Sequence, residues 1–112
     1  MTGPPPKLTI HESRMNGSVR LSLTGELDLG TTPVLEDRLT RLQATNSPVM
    51  LDLSRLDFID STGLHLLVRM VGDARIKRWQ LRIEPDVSPQ VKSLFRLVRL
   101  DRFLAADEPP IP

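Results

Sequence analysis

The 112-residue sequence contains no cysteine and no tyrosine, and it has only one tryptophan and three phenylalanines. The absence of cysteine excludes disulfides, zinc–thiolate sites and thiol nucleophiles. Because aromatic side chains are so few, the hydrophobic core must be built from Leu, Val and Ile. A chain of this length suits one compact domain with a single core.

Long hydrophobic segments are also missing. No stretch approaches the ~20 apolar residues of a transmembrane helix, and the start of the chain, MTGPPPKLTI, lacks the apolar stretch of a signal peptide. We therefore expect a cytoplasmic protein without membrane insertion. The net charge is only +1, with both signs mixed along the chain, so no broad basic surface for direct nucleic-acid binding is predicted.

Proline positions and hydrophobic periodicity predict one domain between two tails. Prolines near both ends indicate flexible tails over residues 1–6 and 107–112, which leaves a single domain over residues 7–106. Two alternating segments joined by Asn16-Gly17 predict an antiparallel hairpin. VMLDL predicts a central parallel strand buried on both sides, WQLRIE predicts a further strand, and RFLAA predicts a last short strand or a segment packed on the domain.

Three segments carry helical signals. TTPVLEDRLTRLQAT predicts a helix that Thr32 caps, and SPQVKSLFRLV predicts a helix that Ser88 caps. The segment after Gly63 has a core-facing stripe at helical spacing, formed by Leu64, Leu67, Val68 and Val71. Strands that alternate with helices after a hairpin predict the α/β class, with a mixed β-sheet of four to five strands and helices packed against it.

Asp60-Ser61-Thr62-Gly63 stands between the buried strand and the second helix. Asp60 can cap that helix, and Ser61 and Thr62 then lie in its first turn, where backbone N–H groups lack partners. A cap does not require Gly63, which costs ~1 kcal/mol of helix propensity and lets another chain approach closely. On the motif alone, helix capping is favoured over the alternative, a phosphorylatable Ser61 beside an anion-binding helix start.

A hydrolase nucleophile at Ser61 is a third alternative, and it lacks a suitable base. The two histidines of the chain, His11 and His65, belong to no recognisable catalytic triad. Both fall at polar positions of their predicted elements, so we expect them to be exposed. Two isolated histidines form no metal site, and we therefore predict no catalytic and no metal-binding residue.

Leu66 and Met70 lie one turn apart on the second helix, outside its core-facing stripe. Either the core wraps around this helix, or the two side chains form an apolar surface that docks a partner reading Ser61. The pattern leaves both alternatives open.

Three segments together resemble a known family: LTGELDLGTTPVLEDRL, VMLDLSRLDFIDSTGLHLLV and SPQVKSLFRL. In this order and spacing they are similar to the STAS domain, specifically to bacterial anti-sigma factor antagonists, from Leu8 to Leu104. Gly25-Glu26-Leu27-Asp28 combined with Asp60-Ser61-Thr62-Gly63 carries the resemblance, since either motif alone is weak.

The resemblance implies a partner-switching protein rather than an enzyme. Such antagonists bind an anti-sigma factor with serine kinase activity and thereby release a sigma factor. The kinase phosphorylates the serine, and the complex then dissociates. A PP2C-type phosphatase removes the phosphate. ATP and its metal ion belong to the kinase, so no cofactor is expected here.

Carried onto this sequence, the resemblance makes Ser61 the phosphorylation site and Thr62 a weaker secondary acceptor. It places Asp28 near Ser61 on the kinase-facing surface. With the two apolar residues of the second helix included, the predicted partner-binding residues are Asp28, Asp60, Thr62, Gly63, Leu66 and Met70.

The main rival is a STAS subunit that never switches by sigma release. It would serve as a scaffold in a stress-signalling assembly, or as a soluble subunit of a lipid-transport complex. The intact Asp60-Ser61-Thr62-Gly63 motif disfavours a purely structural role.

Overall fold

The computed structural model describes residues 6–98, which fold into one mixed four-stranded sheet with three helices. The strand order is β1-β2-β3-β4, with β1 antiparallel to β2 and the remaining neighbours parallel. The predicted α/β class is confirmed. The elements in chain order are β1 (Leu8–Met15), β2 (Ser18–Leu27), α1 (Thr32–Ala44), β3 (Val49–Ile59), α2 (Ser61–Ile76), β4 (Leu81–Ile83) and α3 (Pro89–Leu97).

Some predictions concern residues outside the described range. The strand considered over residues 102–106 lies there, as do the C-terminal tail and residues 1–5 of the N-terminal tail. Among the described residues, no helix combines the length and the apolar character needed to cross a membrane.

The hairpin between β1 and β2 turns at Asn16-Gly17, as predicted. Asn16 has φ 54° and Gly17 has φ 82°, and two positive φ values in succession are typical of a two-residue hairpin turn. The pairing of Met15 with Ser18 closes the hairpin. A chain reversal at this point puts β2 in position to pair with β3 on its other side.

The core is aliphatic and forms one cluster. On β2 the buried Val19, Leu21 and Leu23 alternate with more exposed polar residues, and Leu21 pairs with the buried Leu51 of β3. The helices contribute buried residues to the same cluster, as their stripes predicted: Leu35, Leu39, Leu42, Leu64, Leu67, Val71, Val91 and Phe95.

Trp79 closes the core at the amino ends of the parallel strands. Its side chain is 4% exposed, and its indole Nε1 donates a hydrogen bond to the carbonyl of Ser47 at 2.6 Å. The sequence predicted Trp79 as the first residue of the strand WQLRIE, whereas β4 begins at Leu81, so Trp79 lies in the connection between α2 and β4.

Candidate functional site

Strands β2 and β3 end side by side, since Leu27 pairs with Ile59 in the parallel ladder. Both strands therefore end at the same edge of the sheet. The loop from β2 to α1 and the start of α2 meet there. We call residues 27–31 and 59–63 the carboxyl edge.

The carboxylate of Asp60 holds both halves of the carboxyl edge. Its Oδ1 accepts the backbone N–H of Gly63 at 2.9 Å, which confirms the predicted helix cap. Its Oδ2 accepts the backbone N–H of Leu29 at 3.2 Å, and its own N–H donates to the carbonyl of Leu27 at 3.2 Å. One side chain thus fixes the start of α2 to the loop after β2, a second role that the sequence did not indicate.

Asp28 organises the loop itself. Its Oδ1 accepts the backbone N–H groups of Gly30 at 3.0 Å and Thr31 at 3.1 Å, and its Oδ2 lies 2.6 Å from Nζ of Lys7. The hydrogen bond from Lys7 holds the pKa of Asp28 below its usual value, and the same contact raises the pKa of Lys7. The carboxylate is therefore ionised at neutral pH and engaged within the chain.

Lys7 is a site residue that sequence reasoning missed. Its carbonyl accepts the backbone N–H of Glu26 at 2.7 Å, which extends the pairing of β1 with β2 by one residue. A Cβ on Gly25, whose φ is 107°, would collide with that carbonyl. Only a residue without a Cβ allows this approach, but nothing in the sequence near Lys7 signals it.

Thr31, rather than Thr32, is the N-cap of α1, so the prediction for Thr32 is wrong. The hydroxyl of Thr31 accepts the backbone N–H of Asp28 at 2.9 Å and donates to the carbonyl of Glu26 at 2.8 Å. Because the loop uses this hydroxyl, α1 begins without a side-chain capping bond. Pro33 in the first turn needs no donor partner there.

Gly63 lets α2 pack directly on the end of β2. A Cβ at this position would lie 2.5 Å from the carbonyl oxygen of Leu27 and 3.0 Å from Cγ1 of Ile59. The predicted close approach therefore exists, but the neighbour belongs to the same chain. Gly63 is buried, so its missing Cβ serves packing within the chain, and its contact with a partner stays a prediction.

The sequence left open whether Leu66 and Met70 belong to the core or to an apolar docking surface, and their burial decides this. They are 4% and 5% exposed and belong to the core cluster. The core therefore wraps around α2, and the alternative of an exposed apolar surface is wrong; that these two residues contribute to partner binding stays a prediction.

Ser61 is the first residue of α2, and its side chain is exposed. Within residues 6–98 its hydroxyl makes no hydrogen bond. The residues on both sides are held in place, because Asp60 is fixed by four hydrogen bonds and Gly63 by its contact with β2. An exposed hydroxyl thus projects from a backbone that hydrogen bonds hold in place.

A groove between α1 and α2 begins beside Ser61. The ion pair of Arg69 Nη2 with Glu36 Oε2, 2.9 Å apart, joins the two helices across it. Thr62 is half-buried in this groove. The complete lining is Thr32, Glu36, Thr62, His65, Leu66 and Arg69.

The two histidines are exposed, as predicted, and they lie in different parts of the fold. His65 is one turn after Ser61 on α2, whereas His11 pairs with Ser22 in the hairpin. In the described part of the chain, no three His, Cys, Asp or Glu side chains are grouped so that they could hold a metal ion.

The fold and this edge define a single α/β domain with an exposed serine hydroxyl at the start of its second helix. A family model described as "Mlab, STAS domain" matches residues 10–105 of the sequence. The chain belongs to the STAS domain family.

Curated relatives are found in Mycobacterium tuberculosis. The anti-sigma-F factor antagonist RsfB of strains CDC 1551 / Oshkosh and ATCC 25618 / H37Rv is 36% identical over 64 residues. That alignment covers 56% of this chain and 52% of RsfB. The chain therefore spans about half the length of the curated relatives that it matches.

Solved structures share the fold. An anti-sigma factor antagonist from Mycobacterium paratuberculosis has a TM-score of 0.76 and 24% identity over 93% of this chain and 88% of that chain. Unphosphorylated SpoIIAA, an anti-sigma factor antagonist, has a TM-score of 0.65 and 19% identity over 86% of this chain and 85% of that chain. Phosphorylated SpoIIAA from Bacillus has a TM-score of 0.67 and 17% identity over 86% of this chain and 88% of that chain.

Proposed function

We propose that this chain is an anti-sigma factor antagonist, and that phosphorylation of Ser61 switches it off. In this proposal it binds an anti-sigma factor with serine kinase activity and so frees a sigma factor. The observation that carries it is the Ser61 hydroxyl, which is exposed and makes no hydrogen bond to any of the described residues, 6–98. Support comes from RsfB, a curated relative, which is an anti-sigma-F factor antagonist.

The proposed reaction takes place in the active site of the kinase. Oγ of Ser61 attacks the γ-phosphorus of ATP, the bond from that phosphorus to the β,γ-bridging oxygen breaks, and ADP leaves. The hydroxyl proton passes to a base of the kinase. A PP2C-type phosphatase reverses the modification by hydrolysis, which restores the hydroxyl and releases inorganic phosphate. This chain supplies the acceptor and its positioning, and it needs no cofactor or catalytic residue of its own.

The position of Ser61 lets the fold accept the phosphate. A phosphoserine carries about −1.5 to −2 charges at neutral pH, and the start of a helix favours negative charge because its N–H groups point toward it. Asp60 already occupies the N–H of Gly63, so the phosphate group extends outward from the carboxyl edge. The modification therefore changes the surface and leaves the core intact.

A partner that covers Ser61 has no such tolerance. Burying a dianion in the contact adds desolvation and repulsion from acidic groups, and a loss of ~3 kcal/mol lowers affinity about a hundredfold. Asp28 and Asp60 are engaged within the chain. We propose that they contribute to binding by shaping the surface beside Ser61.

Three baits and one control test the switch. Wild-type chain, Ser61→Ala, Ser61→Asp and Ser93→Asp are used to capture proteins from an extract of the source cells, with mass spectrometry to identify the partners and to locate phosphate. Ser93 is an exposed serine on α3, so its Asp variant adds the same charge away from the carboxyl edge. We expect the wild type, Ser61→Ala and Ser93→Asp to retain a kinase that Ser61→Asp loses.

Equal capture by all four baits, each shown to be folded by circular dichroism, would contradict the switch. That result would favour a STAS subunit acting in an assembly without phosphorylation. Thr62 is tested in the same experiment as the proposed secondary acceptor, because phosphate on Ser61→Ala bait would then be found at Thr62.

A further inference from the structure

Leu29 is an exposed apolar side chain at the carboxyl edge. It is 73% exposed, although a leucine in a loop gains nothing from contact with water. Its backbone N–H is bound by the carboxylate of Asp60 at 3.2 Å, and Asp60 directly precedes Ser61. The backbone of Leu29 is thereby tied to the segment that presents the Ser61 hydroxyl.

The exposure of Leu29 is imposed by the loop that carries it. Asp28 binds the backbone N–H groups of Gly30 and Thr31, and Lys7 fixes Asp28 from the neighbouring strand. The residues before and after Leu29 are therefore both held. Because the backbone that carries Leu29 is already held, a partner that covers the side chain does not also have to order the loop.

The charged groups near this side chain are largely paired within the chain. Lys7 contacts Asp28 at 2.6 Å, and Arg69 contacts Glu36 at 2.9 Å across the adjacent groove. A partner gains little from charges that are already neutralised, whereas burial of an exposed leucine removes apolar surface from water. Apolar contact is thus the main attraction that this edge offers.

We propose that Leu29 is the apolar anchor by which the serine kinase docks on the unphosphorylated chain. This inference rests on the proposed function. Transfer of phosphate requires the kinase to cover the Ser61 hydroxyl, and the Asp60–Leu29 hydrogen bond places Leu29 beside that position. A phosphate on Ser61 then lies next to a dry apolar contact, which explains why phosphorylation separates the two proteins.

The test compares Leu29→Ala with Ile76→Ala. Ile76 is 82% exposed at the last position of α2, so its truncation removes a similar side chain far along the helix from Ser61. The initial rate of ATP-dependent phosphorylation at Ser61 is measured in an extract of the source cells over a range of chain concentrations. For Leu29→Ala we expect kcat/KM to fall about tenfold through a higher KM. Ile76→Ala stays at the wild-type value, and Leu29→Met recovers most of the loss.

Two results would overturn the inference while Ser61 is still phosphorylated. One is an equal KM for Leu29→Ala and Ile76→Ala. The other is a dimer of the purified chain that Leu29→Ala dissolves in sedimentation velocity, since the anchor would then serve a second copy of the chain. If the wild type is not phosphorylated at Ser61 at all, the proposed function itself fails and the inference fails with it.

Discussion

The two ends of the sheet are stabilised in different ways. At the carboxyl edge, the loops are joined by the carboxylates of Asp28 and Asp60, and α2 lies in direct contact with backbone through Gly63. At the opposite end, the turn at Asn16-Gly17 has free space around Gly17, and the indole of Trp79 closes the core. We call this end, with the hairpin turn and Trp79, the amino edge. Both ends expose apolar residues, and among the described residues the exposed Leu29 of the carboxyl edge lies in a loop that hydrogen bonds fix.

The amino edge only has to close the core, whereas the carboxyl edge presents a surface. A buried apolar side chain tolerates small shifts of its neighbours. A carboxylate that binds two backbone N–H groups instead fixes their relative positions, because each hydrogen bond allows only a narrow range of distances. The carboxyl edge is therefore the part of the molecule suited to hold the backbone of Ser61 in a defined geometry.

The largest expected effect on the free energy of unfolding is at the amino edge. Trp79→Ala removes a buried indole and leaves the carbonyl of Ser47 without its donor, and we expect a loss of about 3–5 kcal/mol in the free energy of unfolding. Urea unfolding is followed by circular dichroism rather than by fluorescence, because this variant contains no tryptophan. Trp79→Phe, which keeps an aromatic ring but not the hydrogen bond, should cost less. A loss below about 1 kcal/mol for Trp79→Ala would show that the indole does not close the core.

At the carboxyl edge, Gly63→Ala should be the most damaging small substitution. Its methyl group meets the carbonyl of Leu27 at 2.5 Å, so α2 must shift, and we expect a loss of about 1–3 kcal/mol. Gly72→Ala is the matched control on the same helix, since a Cβ there meets nothing within 4 Å. That variant should gain about 0.5–1 kcal/mol of stability from helix propensity. Fluorescence of Trp79 during denaturant unfolding measures both, and equal shifts would refute the packing argument.

The two glycines also show what the sequence could and could not predict. Hydrophobic periodicity identified the strands, the helices and the aliphatic core, because period and composition are local properties. Whether a Cβ at Gly63 or Gly72 has room depends on where β2 lies, which a local pattern does not contain. The same limit explains Leu66 and Met70, whose burial is set by how far the core extends around α2.

The candidate site was predictable in part. The motif and its resemblance pointed to Asp28, Asp60 and Ser61, which the fold brings to one edge because parallel strands end together. The Lys7–Asp28 ion pair joins positions that are 21 residues apart in sequence, and the Asp60–Leu29 hydrogen bond depends on the bend of a loop. Contacts of this kind leave no periodic signal.

The next prediction separates the two roles of Asp60. Asp60→Ala removes the cap of α2 and should lower stability by about 0.5–2 kcal/mol. Asp60→Asn retains one carbonyl oxygen, which can still cap α2, but its amide nitrogen cannot accept the N–H of Leu29. We therefore expect Asp60→Asn to approach wild-type stability while the amide of Leu29 exchanges faster with deuterium. Equal exchange at Leu29 in Asp60→Asn and the wild type would show that this hydrogen bond does not hold the loop.

The smallest expected effect concerns the Lys7–Asp28 pair and depends on pH. Because the pKa of Asp28 is lowered in the folded state, its contribution to stability is present above its unfolded value of about 4 and is lost as pH falls through the folded value. The raised pKa of Lys7 keeps its own contribution present up to alkaline pH. Asp28→Asn should therefore have a lower Tm than the wild type at pH 7, and the difference should close below about pH 4.

Asp37→Asn is the control for this titration. Asp37 pairs with Arg41 at 2.9 Å, but both side chains are well exposed and organise no loop, so its removal should change Tm little at any pH. Asp28 differs because the same carboxylate also binds the N–H groups of Gly30 and Thr31. A constant difference in Tm between Asp28→Asn and the wild type from pH 7 to pH 3 would mean that the charge of Asp28 contributes nothing. If that constant difference is also close to zero, the loop depends on hydrogen bonds that an amide can make as well, and the carboxyl edge is held by geometry alone.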